Sequence, residues 1–440
     1  MNQMANRAEG DIGAEIIPPE LAVRAMRDSG YRNTDYALAE LIDNSVQANA
    51  TQVDVICLEV MKQVSQRKSR RIEQIAVIDN GDGMTPETLR IALQFGNGTH
   101  LRDRKGIGRF GMGLPNSSIS QCRRLEVWSW QSGPNNAMWT YIDVNDIEAG
   151  RLKSVPQPIP KPVPPDWRER SSLFLEHPAH SFFGQILMTI GSNGAVLKLL
   201  WKNTETLIGR MYRKFIDTGD LTIRLAAYYD KEITFDATTR VNDPLYLTPQ
   251  SCTPSPFDTE PMFQTWGEGD QEFTIEIDGQ AHTVAVRISW AKRRYRHAGL
   301  ISRPRVDDIW QTCCKKMWGV SVVRERRELE LDKAWTIGYD PRERWWGIEV
   351  EFPSALDEIF FGVTNNKQHA NTFASMAQFD WEEEAYPGEQ RSAFRERLLA
   401  NGDPRGLLID IAEYIQQQLD EIRRRIKAQT KGKRSTQKAA

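Results

Sequence analysis

Apolar residues near the start of the chain recur at the spacing of an amphipathic helix. Between Thr34 and about Ala48, the apolar stripe consists of Leu38, Leu41, Ile42 and Val46. Thr34 or Asp35 supplies a side chain suited to cap the first turn. The opposite face carries Glu40, Asp43, Asn44 and Gln47. Taken alone, a polar face of this kind is most often only solvated surface, so its meaning depends on the segments that follow.

Two strand patterns come next. Residues 51–60 alternate like a half-buried strand, whereas residues 75–79 form a short continuous apolar run, typical of a strand buried on both faces. That run ends in the turn sequence Asp79-Asn80-Gly81-Asp82-Gly83-Met84, and Thr85-Pro86 begins a predicted helix that extends through Leu93. An aspartate at the end of a buried strand can point into a pocket, although an ordinary Asn-Gly turn explains the same letters.

A polar segment without periodicity follows this helix. Residues 96–105 are glycine-bearing and charged, which predicts a mobile loop. Glycines 106, 108 and 111 then satisfy the dinucleotide fingerprint G-x-G-x-x-G, but a charged loop rather than a strand precedes them, so we reject a Rossmann turn. The physical content remains, because glycines let backbone amides approach phosphate oxygens beside a helix that starts near Pro115.

The remaining patterns predict two layered domains and a terminal helix. Strands are predicted at 125–131, 138–144, 194–201 and 221–229, which completes an α/β sandwich by about Thr239. After a stretch rich in proline, serine and threonine, further strands are predicted at 273–278, 282–290, 319–329 and 345–353. The last helix has one apolar seam, which either packs on its own domain or pairs with another helix: Leu408, Ile411, Ile415, Leu419, Ile422 and Ile426.

Composition narrows the class of protein. The 440 residues give room for two or three domains, and the formal net charge of −2 argues against a surface that is basic overall. Five cysteines without zinc spacing favour a reducing compartment, and cytoplasm is the expected location. We expect neither a signal peptide nor a membrane span. Basic clusters at 292–296 and 423–438 are candidate contacts for nucleic acid, and solvation explains them about as well.

Nucleotide hydrolysis needs a general base that deprotonates the attacking water, a cation that neutralises phosphate charge, and groups that bind the nucleobase. The helix at 34–48 and the turn after residue 78 carry residues suited to these tasks. Here the chain resembles the GHKL ATPases, the group that includes gyrase, heat-shock ninety chaperones, histidine kinases, MutL and MORC. The family pattern E-x-x-D/S-N is met by Glu40, Asp43 and Asn44. The pattern D-x-G-x-G-M is met by Asp79, Gly81, Gly83 and Met84. The glycine-rich G-x-F-G-x-G is met by Gly108, Phe110, Gly111 and Gly113.

The resemblance implies ATP and Mg²⁺ as cofactors. By analogy Glu40 is the general base, Asn44 the magnesium ligand and Asp79 the reader of adenine, with Asp43 in a supporting role. The segment from Gly106 to Leu114 is the implied lid over the phosphates. The implied nucleotide-binding residues are Asn44, Asp79, Gly81, Gly83, Met84, Gly106, Gly108, Phe110, Gly111, Met112, Gly113 and Leu114.

The implied fold is α+β. It consists of a Bergerat-type ATP-binding domain with an N-terminal dimerisation segment over residues 1–240, a smaller transducer-like domain over 241–395, and an amphipathic helix with a basic tail over 396–440. The segments Asp243-Pro244-Leu245 and Asn365-Asn366-Lys367-Gln368 resemble MORC-type proteins, whose second domain sends a lysine to the γ-phosphate. That resemblance implies that Lys367 senses the nucleotide, although alone it is an ordinary surface lysine.

The function we expect is a Mg²⁺-dependent ATPase whose ATP-bound form is a homodimeric clamp on DNA or on a macromolecular assembly. A chaperone of the heat-shock ninety type is an alternative, and so is an ATP-gated interaction protein with negligible turnover that uses the terminal helix as its partner surface. DNA or a partner protein is a possible partner through the basic clusters and the terminal helix. A histidine kinase is disfavoured, because no histidine precedes Glu40.

Overall fold

The computed structural model describes most of the chain. The described residues are 19–28, 34–64, 66–95, 113–176, 184–190, 197–249, 251, 259–277, 279–296, 317–338, 340–361 and 370–437. Two sheets organise them, one formed by strands up to residue 238 and one by strands from residue 263 onward. The mixed α+β class expected from the sequence is confirmed. The predicted domain boundaries stay predictions.

The first sheet has the strand order β5-β4-β3-β6-β2-β1-β7-β8. Its strands are β1 (Gln52–Val64), β2 (Arg67–Asp79), β3 (Arg124–Trp130), β4 (Met138–Asp143), β5 (Ile159–Pro160), β6 (Gly184–Ile190), β7 (Thr222–Tyr229) and β8 (Glu232–Thr238). The helices associated with it are α1 (Pro19–Asp28), α2 (Thr34–Gln47), α3 (Pro86–Ala92), α4 (Gly113–Gln121), α5 (Val144–Glu148), α6 (Pro165–Arg170), α7 (Ser172–Glu176), α8 (Leu197–Met211) and α9 (Arg213–Asp217).

Alternation along the strands gives this sheet two buried faces. Val53 and Val55 of β1 face a core that also contains residues of α2, α4 and α8. Ile56 points to the other face, where Trp128 and Trp167 lie. The β1 and β2 strands pair antiparallel with Val53 opposite Asp79, so the end of β2 lies beside the start of β1 and close to the end of α2.

The second sheet has the order β10-β11-β14-β12-β13, with β9 paired to β11. Its strands are β9 (Phe263–Thr265), β10 (Gln271–Ile277), β11 (Gln280–Ala291), β12 (Val320–Arg324), β13 (Arg327–Asp332) and β14 (Trp346–Phe352). The helices of this part are α10 (Arg293–Arg296), α11 (Asp357–Phe361), α12 (Asn371–Ser375), α13 (Trp381–Glu384), α14 (Arg391–Ala400) and α15 (Arg405–Gln437). The apolar seam of α15, from Leu408 to Ile426, is buried in the same core as this sheet.

Two strand predictions were wrong. Residues 197–201 of the predicted strand at 194–201 begin α8, where Trp201 is buried and stacks on Phe235 with ring centroids 5.7 Å apart. The run 319–329 is a hairpin rather than one strand, because Glu325 and Arg326 turn the chain with φ of 48° and 70°. Turns with positive φ are usually marked by Gly or Asn, and neither residue occurs here.

None of the helices in the described part of the chain combines the length and the apolar character needed to cross a bilayer.

Candidate active site

Asp79 is the last residue of β2, and its side chain is fully buried. Ser45 Oγ of α2 donates a hydrogen bond of 2.7 Å to Asp79 Oδ2, and the Gly81 backbone N–H donates one of 3.0 Å to Oδ1. Because a buried carboxylate must be hydrogen-bonded to remain charged, these two donors fix its orientation. The sequence predicted Asp79 at the end of this strand, and in the structure the hydrogen bond from Ser45 connects its side chain to α2.

The glycine turn after Asp79 is packed too closely for side chains. A Cβ at Gly81 would lie 2.6 Å from the Ala48 carbonyl oxygen, at the end of α2. A Cβ at Gly83, where φ is +66°, would lie 2.2 Å from the Trp130 carbonyl oxygen of β3. Met84 N donates a 2.7 Å hydrogen bond to Ser129 Oγ. The backbone of this turn is therefore held against α2 and β3, and substitution at either glycine forces it to move.

Glu40 of α2 faces the start of α4. A Cβ at Gly113 would lie 3.0 Å from Glu40 Oε2, so the carboxylate lies directly beside the first residue of that helix. Leu114 anchors the same turn in the core of the first sheet. Since the first turn of a helix presents backbone N–H groups without partners in the helix, it is suited to bind an anion. The Glu40 carboxylate is thus adjacent to the start of a helix, the kind of position that is suited to an anion.

Asn44 lies one turn after Glu40 on the same face of α2. Its Nδ2 atom is buried and has no hydrogen-bond partner among the described residues, and the same holds for Asn116 Oδ1 on α4. Asn116 lies three residues after Gly113, which places both on one side of α4. Buried polar atoms are normally hydrogen-bonded, so the Asn44 amide nitrogen is a donor that a ligand oxygen could satisfy.

Asp43 points away from that face into a saturated cluster of hydrogen bonds. The Tyr212 hydroxyl lies 2.6 Å from Asp43 Oδ1 and donates to it. Arg327, the first residue of β13, donates from Nε to Oδ1 at 3.0 Å and from Nη2 to Oδ2 at 2.8 Å. Burial, and after it Asp43, raises the pKa of Tyr212 well above its usual value, so the phenol stays protonated and can donate. The second sheet therefore reaches the helix that carries Glu40.

A second set of buried ion pairs connects the region of α8 and α9 with strands β13 and β14 of the second sheet. Glu328 is fully buried and accepts hydrogen bonds from Arg210 Nε and from Arg213 Nη1, the latter at 2.8 Å. Glu349 of β14 pairs with Arg213 and with Lys214. Asp243 begins the connection to the second sheet, and its carboxylate accepts from the backbone N–H groups of Leu245, Leu247 and Thr248.

The structure brings together part of the predicted site. Glu40, Asn44, Asp79, Gly81, Gly83, Met84, Gly113 and Leu114 lie on α2, on the turn after β2 and on the first turn of α4. Gly106, Gly108, Phe110, Gly111, Met112 and Lys367 lie outside the described residues. Within the described residues, no group of three or more histidine, cysteine, aspartate or glutamate side chains is arranged to hold a metal ion.

Sequence reasoning missed four residues of this region. Ser45, Tyr212 and Asn116 belong to helices or their ends, where one polar residue beside others gives no distinct pattern. Arg327 follows a hairpin turn that was taken for continuous strand. The available signal was the charged run from Glu325 to Glu328, because charges on successive positions of a strand place some of them on a buried face.

Comparisons with known proteins match the part of the chain that carries α2, β2 and α4. Residues 31–171 match the family model "Histidine kinase-, DNA gyrase B-, and HSP90-like ATPase". The DNA mismatch repair protein MutL of Shewanella loihica is 28% identical over 172 residues, which are 38% of this chain and 25% of that protein. The MutL of Shewanella sediminis is 29% identical over 173 residues, again 38% of this chain and 25% of that protein.

Among solved structures, the "Crystal Structure of N terminal domain of a DNA repair protein" overlaps 86% of this chain and 99% of that one, with a TM-score of 0.46 and 14% identity. In the two MutL sequences, by contrast, the match with this chain covers only 25% of the length of each protein. The family resemblance carried by the three motifs is confirmed by the family model: residues 31–171 form a domain of the histidine kinase, DNA gyrase B and HSP90-like ATPases, the GHKL ATPases.

Proposed function

We propose that this chain binds ATP with Mg²⁺ and hydrolyses it, and that ATP closes two copies into a clamp. The observation that carries the proposal is the position of Glu40, whose Oε2 lies within 3.0 Å of the place a Gly113 Cβ would occupy. A general base must lie within reach of the water that attacks the γ-phosphate, and the start of α4 is where phosphate oxygens find backbone donors.

In this proposal each polar group of the site has one task. Glu40 orients the attacking water and takes its proton, while the backbone at the start of α4 binds phosphate oxygens. Asp79, already held by Ser45 and Gly81, accepts a hydrogen bond from the exocyclic amine of adenine. Gly81 and Gly83 let the turn pack against α2 and β3, which sets the position of Asp79. Tyr212 and Arg327 hold Asp43 and thereby α2.

The residues present fit magnesium. The Asn44 amide nitrogen has no hydrogen-bond partner among the described residues, so no bond through that atom fixes the amide, and its oxygen is the atom that would bind Mg²⁺, which prefers oxygen ligands and keeps several waters. Asn44 would hold the ion together with phosphate oxygens. The ion, when bound with ATP, would neutralise phosphate charge. One protein ligand suffices for such a site, because phosphate oxygens and waters complete the coordination.

The similarity to proteins named DNA mismatch repair protein MutL favours DNA as the target of the clamp. The basic clusters support DNA binding less strongly than their sequence suggests, because some of their cations pair with carboxylates of this chain. Lys292 and Arg294 both lie within ion-pair distance of Glu260, and Arg423 pairs with the buried Glu343. Binding of DNA by the ATP-bound form that weakens with added salt would assign DNA as the target, and its absence would refute DNA as the target.

The test compares wild-type protein with Glu40→Ala and, as a matched control on the same helix, Gln47→Ala. We expect Glu40→Ala to lower turnover by roughly 10²-fold while ATP still binds, because it removes only the general base. Gln47 is exposed, and its loss leaves turnover unchanged. Light scattering with ATP should show the Glu40→Ala protein as a dimer, and without nucleotide as a monomer.

Unchanged turnover in Glu40→Ala would refute the role of Glu40. Wild-type turnover at the level of the Glu40→Ala protein, with ATP still driving dimerisation, would instead identify an ATP-gated interaction protein. A mass that does not respond to ATP would refute the clamp.

A further inference from the structure

The turn between β12 and β13 brings three consecutive residues into contact with the helices that pack on the first sheet and with the loop after α9. Arg326 Nη2 donates to Asp220 Oδ2 at 2.6 Å and to Thr218 Oγ1 at 2.7 Å, at the end of α9. Arg327 pairs with Asp43, and Glu328 pairs with Arg210 and Arg213. The turn residues Glu325 and Arg326 keep positive φ without glycine, a conformation that costs energy and persists where surrounding contacts hold it.

The Arg327–Asp43 pair is bidentate and buried. The exposed fractions are 5% for Arg327 and 4% for Asp43, and both carboxylate oxygens accept from the guanidinium. Arg327 Nη1 also donates to the Glu328 carbonyl oxygen at 3.2 Å. A planar guanidinium that donates twice to one carboxylate fixes the direction of approach as well as the distance. The pair therefore defines how α2 is rotated relative to the hairpin.

Asp43 lies three residues after Glu40 and one before Asn44. Because an α-helix turns as a rigid unit, fixing Asp43 on one side fixes the directions of Glu40 and Asn44 on the other. The charge of Arg327 also acts on the site directly. Burial would lower the pKa of Arg327, but Asp43, Tyr212 and Glu40 outweigh burial and raise it. Glu40 is thus within electrostatic range of a cation from the second sheet.

We propose that Arg327 is a positioning residue for ATP hydrolysis, which orients Glu40 through Asp43 and makes turnover depend on docking of the β12–β13 hairpin onto the ATPase domain. This inference rests on the proposed function. It assigns to the second sheet a contact with the catalytic helix that is distinct from the lysine implied at position 367. The bland alternative is that Arg327 only stabilises the contact between the two sheets.

The hairpin itself supplies a matched control. Arg324 is the register partner of Arg327 across the turn and is also buried, with 2% exposed. It makes its own bidentate pair, with Nε 2.5 Å from Asp357 Oδ1 and Nη2 2.9 Å from Oδ2. Asp357 begins α11 and belongs to the second sheet's side of the structure. Loss of Arg324 therefore removes an equivalent buried pair without a contact to α2.

The experiment measures kcat and the Kd for ATP in Arg327→Met, Arg327→Lys and Arg324→Met, each normalised to its folded fraction. We expect Arg327→Met to lower kcat by about 10- to 100-fold with the Kd for ATP unchanged, since misplacement of a base affects the chemical step. Arg327→Lys, which keeps the charge and loses the bidentate geometry, should fall between Arg327→Met and wild type. Arg324→Met should keep wild-type kcat.

A kcat in Arg327→Met equal to that of Arg324→Met would overturn the inference, and so would parallel losses of kcat and ATP affinity. If Arg327→Met does not fold, the paired variant Asp43→Asn with Arg327→Gln removes both buried charges and keeps hydrogen-bonding groups; we expect it to fold with reduced kcat, and wild-type kcat there would also overturn the inference. The proposed function fails separately, through Glu40→Ala, so full activity of the Arg327 variants beside an inactive Glu40→Ala protein refutes the positioning role alone.

Discussion

Adjacent residues of helix α2 differ sharply in how their polar atoms are satisfied. Asp43 accepts hydrogen bonds from Tyr212 and from two nitrogens of Arg327, and it is almost fully buried. Asn44 has a buried amide nitrogen with no partner among the described residues. One helix thus presents a saturated carboxylate to the second sheet and, at the next residue, an amide nitrogen without a described partner.

Saturated groups such as the Asp43 carboxylate fix the geometry of the site, whereas an unpartnered group such as the Asn44 amide nitrogen can contribute to binding a ligand. Breaking a saturated buried pair leaves an unpaired charge, so such pairs make an arrangement specific and costly to disturb. A polar group without a partner costs stability in the free protein and becomes favourable only when a ligand satisfies it. Substitutions should therefore divide into those that lower the free energy of unfolding and those that mainly change what the site binds.

The largest loss of stability is expected at the ionic contact between the sheets. Arg213 is 4% exposed and donates to both Glu328 and Glu349. We expect Arg213→Met to lower the free energy of unfolding by about 3–5 kcal/mol, because two buried carboxylates lose a shared cation. The control is Arg405→Met, whose partners Asp403 and Glu384 are partly exposed, with an expected loss of at most about 1 kcal/mol. Urea denaturation measures both, and equal losses would contradict the ranking.

The same contact predicts a dependence on acid pH. Burial alone raises the pKa of Glu349, but Arg213 and Lys214 lower it from 4.5 to about 2. Because the folded pKa lies below the unfolded one, the stabilising contribution, on the order of 3 kcal/mol, is complete above about pH 4.5 and is lost as pH falls towards about 2. The pKa of Asp243 shifts in the opposite direction: burial raises it, and the lowering effect of Arg213 is smaller.

The measurement is urea unfolding of wild type and Glu349→Gln between about pH 6 and about pH 3. The difference in the free energy of unfolding between them should shrink as the pH falls. A difference that stays constant over this range would show that Glu349 does not carry the pH dependence.

A smaller effect is expected at Asp79, where stability and binding separate. Asp79→Asn should weaken ATP binding by about 10- to 150-fold, the equivalent of 1.5–3 kcal/mol for a charged hydrogen bond. The matched control is Asp54→Asn on β1, because Asp54 is equally buried and accepts from Ser171 and Ser172. That control should lose stability and keep wild-type ATP affinity. Equal losses of ATP affinity in the two variants would refute the assignment of Asp79 as the adenine reader.

Local patterns were enough to predict the elements that carry the site. The stripe of α2, the apolar run that ends at Asp79 and the seam of α15 are all periodic over a short stretch, and the structure contains each of them. The strand β6 was not predicted, although it lies between β3 and β2 in the middle of the sheet. Its position depends on pairing with distant strands, which no local period records.

The contact between Asp43 and Arg327 was beyond sequence reasoning for a related reason. The two residues are 284 positions apart, and nothing in either segment indicates the other. The hairpin turn that delivers Arg327 has no glycine, so the run 319–329 reads as one strand. The sequence thus predicted the polar groups on the ligand side of α2, and tertiary structure was needed to find those that hold the helix in place.

The smallest change in stability is expected at Asn44, whose unpartnered amide nitrogen contrasts directly with the saturated carboxylate of Asp43. Asn44→Ala removes a buried amide nitrogen that lacks a described partner and places a better helix former in α2, so the free energy of unfolding should rise by about 0.5 kcal/mol. The Mg²⁺ concentration that gives half-maximal turnover should rise by at least about 10-fold. Gln47→Ala, at an exposed position one turn later, should change neither quantity. Urea unfolding and a Mg²⁺ titration of turnover measure the two effects. A loss of stability as large as that of Arg213→Met would mean that Asn44 is a structural residue, because a group reserved for a ligand contributes nothing to the free protein.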